Sequence, residues 1–434
     1  MMEIIRFWEN PAIVDAQLEA LLSSRKQHSS ADIARDVAEI IAQVRSRGDA
    51  AVLEYTTRFD HVDAPTIRLT EAQWAAYEAE CPAEVQRALS FAAGRVTAYH
   101  ERQKPQGWEY LDAEGNRLGM RWSAVDAAGV YVPGGKASYP SSVLMNVIPA
   151  RVAGVGRIAM TVPTPHGVMN PAIAVAARLA GVDEIYCIGG AHAIAALAYG
   201  TSTIAAVHMI AGPGNAYVAE AKRQVFGDVG IDMIAGPSEI LVIADGTVPA
   251  AWVAADMLSQ AEHDEMAQSL LVCLDADYGK AVITAMQHYL ATLPREKIAR
   301  AALRAYGAVM VARDREHACA LANMIAGEHV ELAVAEPEQW AEHIIHAGAL
   351  FMGRYTPEAI GDYVAGPSHV LPTTRSAQFA SGLSVYHFMK KTSLIDCTKA
   401  GFHAIKEAAL ILAECEGLEA HALSMRVRSE GDDI

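Results

Sequence analysis

The chain has no Cys-x-x-Cys pair, no apolar run long enough to cross a membrane and no concentration of basic residues. Each absence closes off a class of function. The six cysteines (Cys81, Cys187, Cys273, Cys319, Cys397 and Cys415) stand far apart, which argues against both a disulfide framework and a thiolate zinc site. They read as buried, reduced thiols of a cytoplasmic protein. No segment offers the roughly 18 uninterrupted apolar residues of a membrane span, and Glu3, Arg6 and Glu9 break up Met1 to Pro11, where a signal peptide needs an unbroken apolar core. Lysine and arginine number 35 against 51 aspartates and glutamates, a net charge of -16. Phosphate backbones are bound by clustered positive charge, so nucleic acid is not an expected partner. A soluble protein acting on a small polar or cationic molecule is expected.

What is present is bulk and alternation. With 434 residues, 52% of them hydrophobic, the chain can bury a large core in roughly two to three domains. Asp32 to His100 is charged and helical in pattern, with apolar residues recurring at three and four. Between Gly129 and Asp245 the texture changes. Strand-like runs at 157–162, 184–188, 206–210 and 240–244 alternate with alanine-rich helical runs at 171–179, 193–199 and 216–225, and 269–274 repeats the strand pattern. Such alternation predicts a parallel sheet with helices on both faces. Residues 397–424 read as helical again.

Ligands of open parallel sheets bind beyond the carboxyl ends of the strands, and the turns here are rich in glycine: Val132-Pro133-Gly134-Gly135, Gly189-Gly190, Gly212-Pro213-Gly214-Asn215 and Gly236-Pro237-Ser238-Glu239. None completes a Gly-x-Gly-x-x-Gly fingerprint, because Tyr217 occupies the third position after Gly212 and Gly214. Gly154 to Ala159 fits a looser form but precedes a strand instead of following one. These turns make a dinucleotide site plausible without specifying it.

Among polar residues, Ser259-Gln260-Ala261-Glu262-His263-Asp264 closes an alanine-rich helical run. Gln260 and His263 are spaced i, i+3, which puts an amide oxygen and an imidazole on one helical face. Two donors begin a metal site and cannot complete one. Further candidates are Glu328 with His329, Asp362 with His369, and Glu416 with His421. Taken singly, each has an ordinary explanation: a solvated helix end, a hydrogen-bonded histidine, an exposed amide, or, for Ser238, a turn cap. Glu416 and His421, five apart, would not share a face of one helix. Spacing alone leaves these alternatives open.

The combination is more specific. The segments Gly129 to Gly135 (GVYVPGG), Gly212 to Asn215 (GPGN), Gly236 to Glu239 (GPSE), Leu258 to Asp264 (LSQAEHD), Gly366 to Thr373 (GPSHVLPT), Ser381 to Val385 (SGLSV) and Glu416 to His421 (EGLEAH) occur in this order. In them the chain resembles the histidinol dehydrogenases, from about Ile33 to Arg428. The resemblance implies a zinc- and NAD-dependent oxidation of L-histidinol through histidinal to L-histidine, the last step of histidine synthesis. It implies Gln260, His263, Asp362 and His421 as Zn2+ ligands, with zinc orienting the substrate's amino and imidazole nitrogens. It further implies His329 as the base for the alcohol proton and Glu328 as the carboxylate that activates water. Ser238, His369 and Glu416 would contact substrate alongside the zinc ligands and His329, and Tyr131, His192 and Asn215 would contact NAD. Four positions depart from the family pattern: His192 replaces a glutamine, Gly327 a proline, Met209 a lysine and His387 an aspartate.

The same resemblance implies an α/β protein of two incomplete Rossmann-like domains with parallel sheets and small helical terminal extensions. The expected boundaries are 1–26 for an N-terminal extension, 27–130 with 240–383 for the first domain, 131–239 for the NAD-binding second domain, and 384–434 for a C-terminal extension. That extension would cross to a partner in a homodimer and bring His421 to a shared active site. Two other readings remain at this stage. One is a related zinc alcohol dehydrogenase acting on another small polar alcohol, such as a sulfonated diol. The other is a zinc-stabilised binding protein without catalysis.

Overall fold

Two parallel sheets arise from the alternation of short apolar strands with alanine-rich helices. The computed structural model describes residues 4–24, 31–62, 67–134 and 139–430; Gly135 of the first glycine turn lies outside them. One sheet has six strands in the order Arg6–Trp8, Ala308–Val311, Gln268–Cys273, Glu239–Ala244, His329–Ala333 and Ala349–Met352, every pair parallel. The second has five, in the order Glu184–Tyr186, Arg157–Thr161, Ala127–Tyr131, Met209–Ala211 and Gly230–Ile231, again parallel throughout. Strands covered by helices on both faces read as continuous apolar runs, and EILVIA and QSLLVC at the centre of the larger sheet are buried at every position.

The chain divides into two compact units, and the first, Met1–Gln103 with Val125–Phe388, holds both parallel sheets. Within it, the Arg6–Trp8 strand adds an edge to the six-stranded sheet. Several helices start where a side chain satisfies the first backbone N–H groups. Thr70 and Gln73 form a reciprocal capping box, and Asn170, Asn215 and Asp275 cap the helices Pro171–Ala180, Ala216–Val225 and Ala276–Leu290.

The second unit, Lys104–Ala124 with Met389–Ile434, contains an element the sequence pattern did not foretell. Trp108–Leu111, Arg117–Ala124 and Met389–Asp396 form a three-stranded antiparallel sheet, with Arg117–Ala124 in the centre. Met389–Asp396 is mostly exposed, so it lacks the apolar alternation that marks a half-buried strand, and its partner is remote in sequence. The helices Lys399–Cys415 and Glu419–Glu430 follow. No helix among the described residues is long and apolar enough to cross a membrane.

Candidate active site

The catalytic candidates sit at the amino ends of strands in the six-stranded sheet. His329 opens the strand His329–Ala333 and pairs in register with Ile240, so Glu328 and His329 lie beside Glu239, the first residue of the neighbouring strand. The Glu239 backbone secures both. Its N–H donates to Glu328 Oε2 at 2.9 Å, and its carbonyl accepts from His329 Nδ1 at 3.0 Å. A carbonyl only accepts, so Nδ1 carries a proton and Nε2 is the ring atom left for exchange. Glu328 is 6% and His329 4% exposed, which rules out the solvated helix end.

Around this pair the chain places more acid. Glu358 Oε1 lies 3.6 Å from His329 Nδ1, Glu328 Oε2 lies 3.7 Å from the same nitrogen, and Asp362 Oδ1 stands 3.7 Å from Nε2. Glu358 is as buried as the pair itself and was missed in the sequence. Its signal was present: Glu358 and Asp362 are i, i+4 on the helix Glu358–Tyr363, and so share a face. Ser259 Oγ reaches Glu358 Oε2 at 3.4 Å, tying the end of the helix Ala250–Ala261 to this group. Deeper still, Glu331 is pushed up to about 10 by burial and by Asp256 beside it.

Gln260 lies in the last turn of the helix Ala250–Ala261 and His263 in the turn just past its end, their side chains 3.0 Å apart between Nε2 and Nδ1. The Gln260 side chain is fully buried, yet its Oε1 has no hydrogen-bond partner. An orphaned buried amide oxygen is costly unless something binds it. His369 Nδ1 bonds the Asp362 carbonyl at 2.9 Å, and its Nε2 lies 3.1 Å from Ser142 Oγ. Ser142 belongs to the helix Pro140–Ala153, which follows a strand of the other sheet. The Ser142–His369 bond therefore links the two halves of this unit.

Protonation sorts the cluster into two kinds of group. Burial alone would raise Asp362, but His329, His369 and His263 around it hold the carboxyl below its ordinary value. Burial lowers His263 and His369 against the pull of Asp362. Asp362 is thus ionised and His263 neutral, the states in which carboxylate and imidazole bind a metal. His329 is the opposite. Burial works to lower it, but Glu328, Glu358 and Asp362 together keep it well above its ordinary value. Burial also pushes Glu328 up to about 8 and Glu358 to about 7. His329, Glu358 and Asp362 do offer ligand atoms within 4.8 Å of one another, yet a protonated His329 donates no lone pair. Gln260, His263 and Asp362 therefore remain the candidate metal donors in this unit. Glu416 and His421 lie in the second unit, on exposed positions: Glu416 caps Lys399–Cys415 and His421 stands in the next helix, Glu419–Glu430.

The cofactor candidates gather at the carboxyl ends of the five-stranded sheet. Tyr131 ends its strand, and its buried hydroxyl accepts from the Gly190 N–H at 3.1 Å. Gly189 can carry no side chain, since a Cβ there would lie 2.5 Å from Pro163 Cβ. Asn215 uses its Oδ1 to cap the helix Ala216–Val225, accepting from Tyr217 and Val218 N–H, and keeps its NH2 group for a ligand. His192 is buried against Tyr55 and Phe59, with Nε2 3.2 Å from Thr56 Oγ1. Residues 232–238 leave the carboxyl end of Gly230–Ile231 and enter the amino end of Glu239–Ala244, so Gly236-Pro237-Ser238 leads from one sheet's ligand end into the acid cluster. Half-buried Ser238 stands immediately before Glu239.

Comparison with known proteins identifies the family. A family model described as histidinol dehydrogenase matches residues 23–429. A histidinol dehydrogenase of Ruegeria pomeroyi is 58% identical over 411 residues, covering 94% of this chain and 95% of that protein. Histidinol dehydrogenase 1 of Trichormus variabilis is 54% identical and covers 96% of both. The crystal structure of histidinol dehydrogenase from Elizabethkingia anophelis superposes with a TM-score of 0.95 over the whole of both chains at 34% identity.

Proposed function

The chain belongs to the histidinol dehydrogenase family, and from that premise we propose that this NAD-dependent oxidoreductase converts L-histidinol through histidinal to L-histidine with two NAD, closing histidine synthesis in the cytoplasm. The observation that carries the reading is the buried Glu328–His329 pair anchored on the Glu239 backbone. Oxidation of an alcohol needs a group to take its proton, and His329 Nε2 is the exchangeable ring atom at hand. Oxidation of the aldehyde needs an activated water. Glu328, brought to about 8 by burial, is a carboxylate basic enough to take a proton from it near neutral pH.

Gln260, His263, Asp362 and, from a partner subunit of a homodimer, a second copy's His421 would hold Zn2+. Zinc there would orient the amino and imidazole nitrogens of the substrate and weaken the negative field that keeps His329 protonated. Ser238, His369 and Glu416 would bind the polar groups of L-histidinol. NAD, the hydride acceptor at both oxidations, would lie against Tyr131, His192 and Asn215. The dimer is supported by the apolar side chains that the second unit leaves exposed, among them Trp108, Tyr110, Leu111, Ile395 and Leu412.

The test is stoichiometry. With zinc and excess NAD, each L-histidinol consumed should yield two NADH. One equivalent, with histidinal accumulating, removes Glu328 from its role, and no NADH at all removes the proposal.

A further inference from the structure

The buried pair Lys222 and Asp232 has no role in the chemistry above. Their side chains are 2% and 0% exposed, and they form a salt bridge inside the unit that holds the two parallel sheets. A buried ion pair is expensive to desolvate, and removing one partner leaves an uncompensated buried charge. Here its hydrogen bonds converge on one residue, Gly212, which opens the Gly212-Pro213-Gly214-Asn215 turn. The Gly212 N–H donates to Asp232 Oδ2 at 2.8 Å, and Lys222 Nζ donates to the Gly212 carbonyl at 3.0 Å. Asp232 Oδ1 accepts from Lys222 and from the Met233 N–H. The other ionisable group facing Asp232 is His387.

What the clamp holds is a tight approach. Gly212 has φ 114, and a Cβ on it would lie 2.0 Å from the Tyr131 carbonyl oxygen. The turn is thereby pressed onto the strand end that carries Tyr131, and three residues on Asn215 caps the next helix. Asp232 also begins the 232–238 crossover toward Ser238. We propose that Lys222 and Asp232 are positioning residues for the cofactor: they fix the Gly212 turn so that Tyr131 and Asn215 meet the dinucleotide together. This rests on the reading of that turn as the NAD site.

The test is NADH affinity of the purified, zinc-loaded dimer, measured by fluorescence titration on Lys222→Met, on Lys222→Met/Asp232→Asn and on Asn215→Ala. The double variant leaves no unpaired charge and serves if the single one fails to fold. Positioning predicts that NADH Kd rises about tenfold or more in the clamp variants, while KM for L-histidinol stays within about twofold. A merely structural pair would lower Tm and leave Kd within about twofold of the parent; if Asn215→Ala weakens NADH and the folded clamp variants behave so, the proposal is overturned. If Asn215→Ala leaves NADH binding intact as well, the turn is not the cofactor site and the proposal falls with that reading.

Discussion

His192 gives the protein an acid weakness that can be calculated. Thr56 Oγ1 donates its proton to the Val52 carbonyl at 2.8 Å, so towards His192 Nε2 at 3.2 Å it can only accept. The imidazole therefore carries its proton on Nε2, and Nδ1 is a buried lone pair with no partner. Burial alone drives the ring down to about 3 from 6.5. A depressed folded-state value stabilises the fold above the unfolded value, and that stability is lost as pH falls from 6.5 towards 3. Near pH 4.5, about two units below the unfolded value, the loss is about 3 kcal/mol at roughly 1.4 kcal/mol per unit. His192→Gln, whose amide does not titrate, carries no such pH dependence. In urea unfolding of parent and variant near pH 7.5 and near pH 4.5, the difference between the two proteins should shift by about 3 kcal/mol in favour of the variant on acidification. A difference that stays the same within about 0.5 kcal/mol would show that the ring titrates normally and that the Thr56 argument is wrong.

With histidinal supplied as substrate, the rate should climb as pH rises towards about 8, because burial holds the Glu328 carboxyl up to about 8 and its ionised, active fraction grows across this range, with a bound cation moving the rise to lower pH; a flat profile from acid to about pH 8 would remove it as the base. Glu328→Gln should cost the aldehyde stage about a hundredfold, read as NADH formed from histidinal. For the shared site, mixing His263→Ala protomers with His421→Ala protomers should restore activity, since each mixed dimer keeps one intact donor set. Absence of rescue after verified subunit exchange would confine the donors to single chains.

The sequence was most legible where one physical rule dominates. Continuous apolar runs such as EILVIA fit strands buried on both faces, and their alternation with alanine-rich helices predicts parallel sheets. Gln260 and His263 were legible because three residues on a helix return to one face. Glu358 obeys the same rule with Asp362 and was passed over, since a glutamate beside a proline reads as an ordinary first helical turn. The antiparallel sheet was hidden for a different reason. Trp108–Leu111 and Met389–Asp396 are exposed or nearly so along their length, and a strand that buries no face leaves no period of two. Nor could spacing disclose that the acid cluster lies at the amino ends of its strands. That follows from residues 232–238 running from one sheet into the other, and a crossover of this kind looks in sequence like any other glycine turn.

The acid cluster also bears on why a cationic ligand would suit this site. Glu328, Glu331, Glu358 and Asp362 share one interior with a single protonated imidazole close by, and burial pushes Glu328, Glu331 and Glu358 up while Asp362 alone is held down. Buried carboxyls of this kind resist ionisation until positive charge arrives. A divalent ion on Gln260, His263 and Asp362, or an ammonium group beside them, supplies that charge and favours the ionised forms of its neighbours. Such a ligand would do more than fit the site: it would bring Glu328 towards the state in which it can act. An acidic chain with a net charge of -16 also draws cations to its surface. The excess of acid that set nucleic acid aside as a partner is, at the scale of the site, what makes an amino alcohol a suitable one.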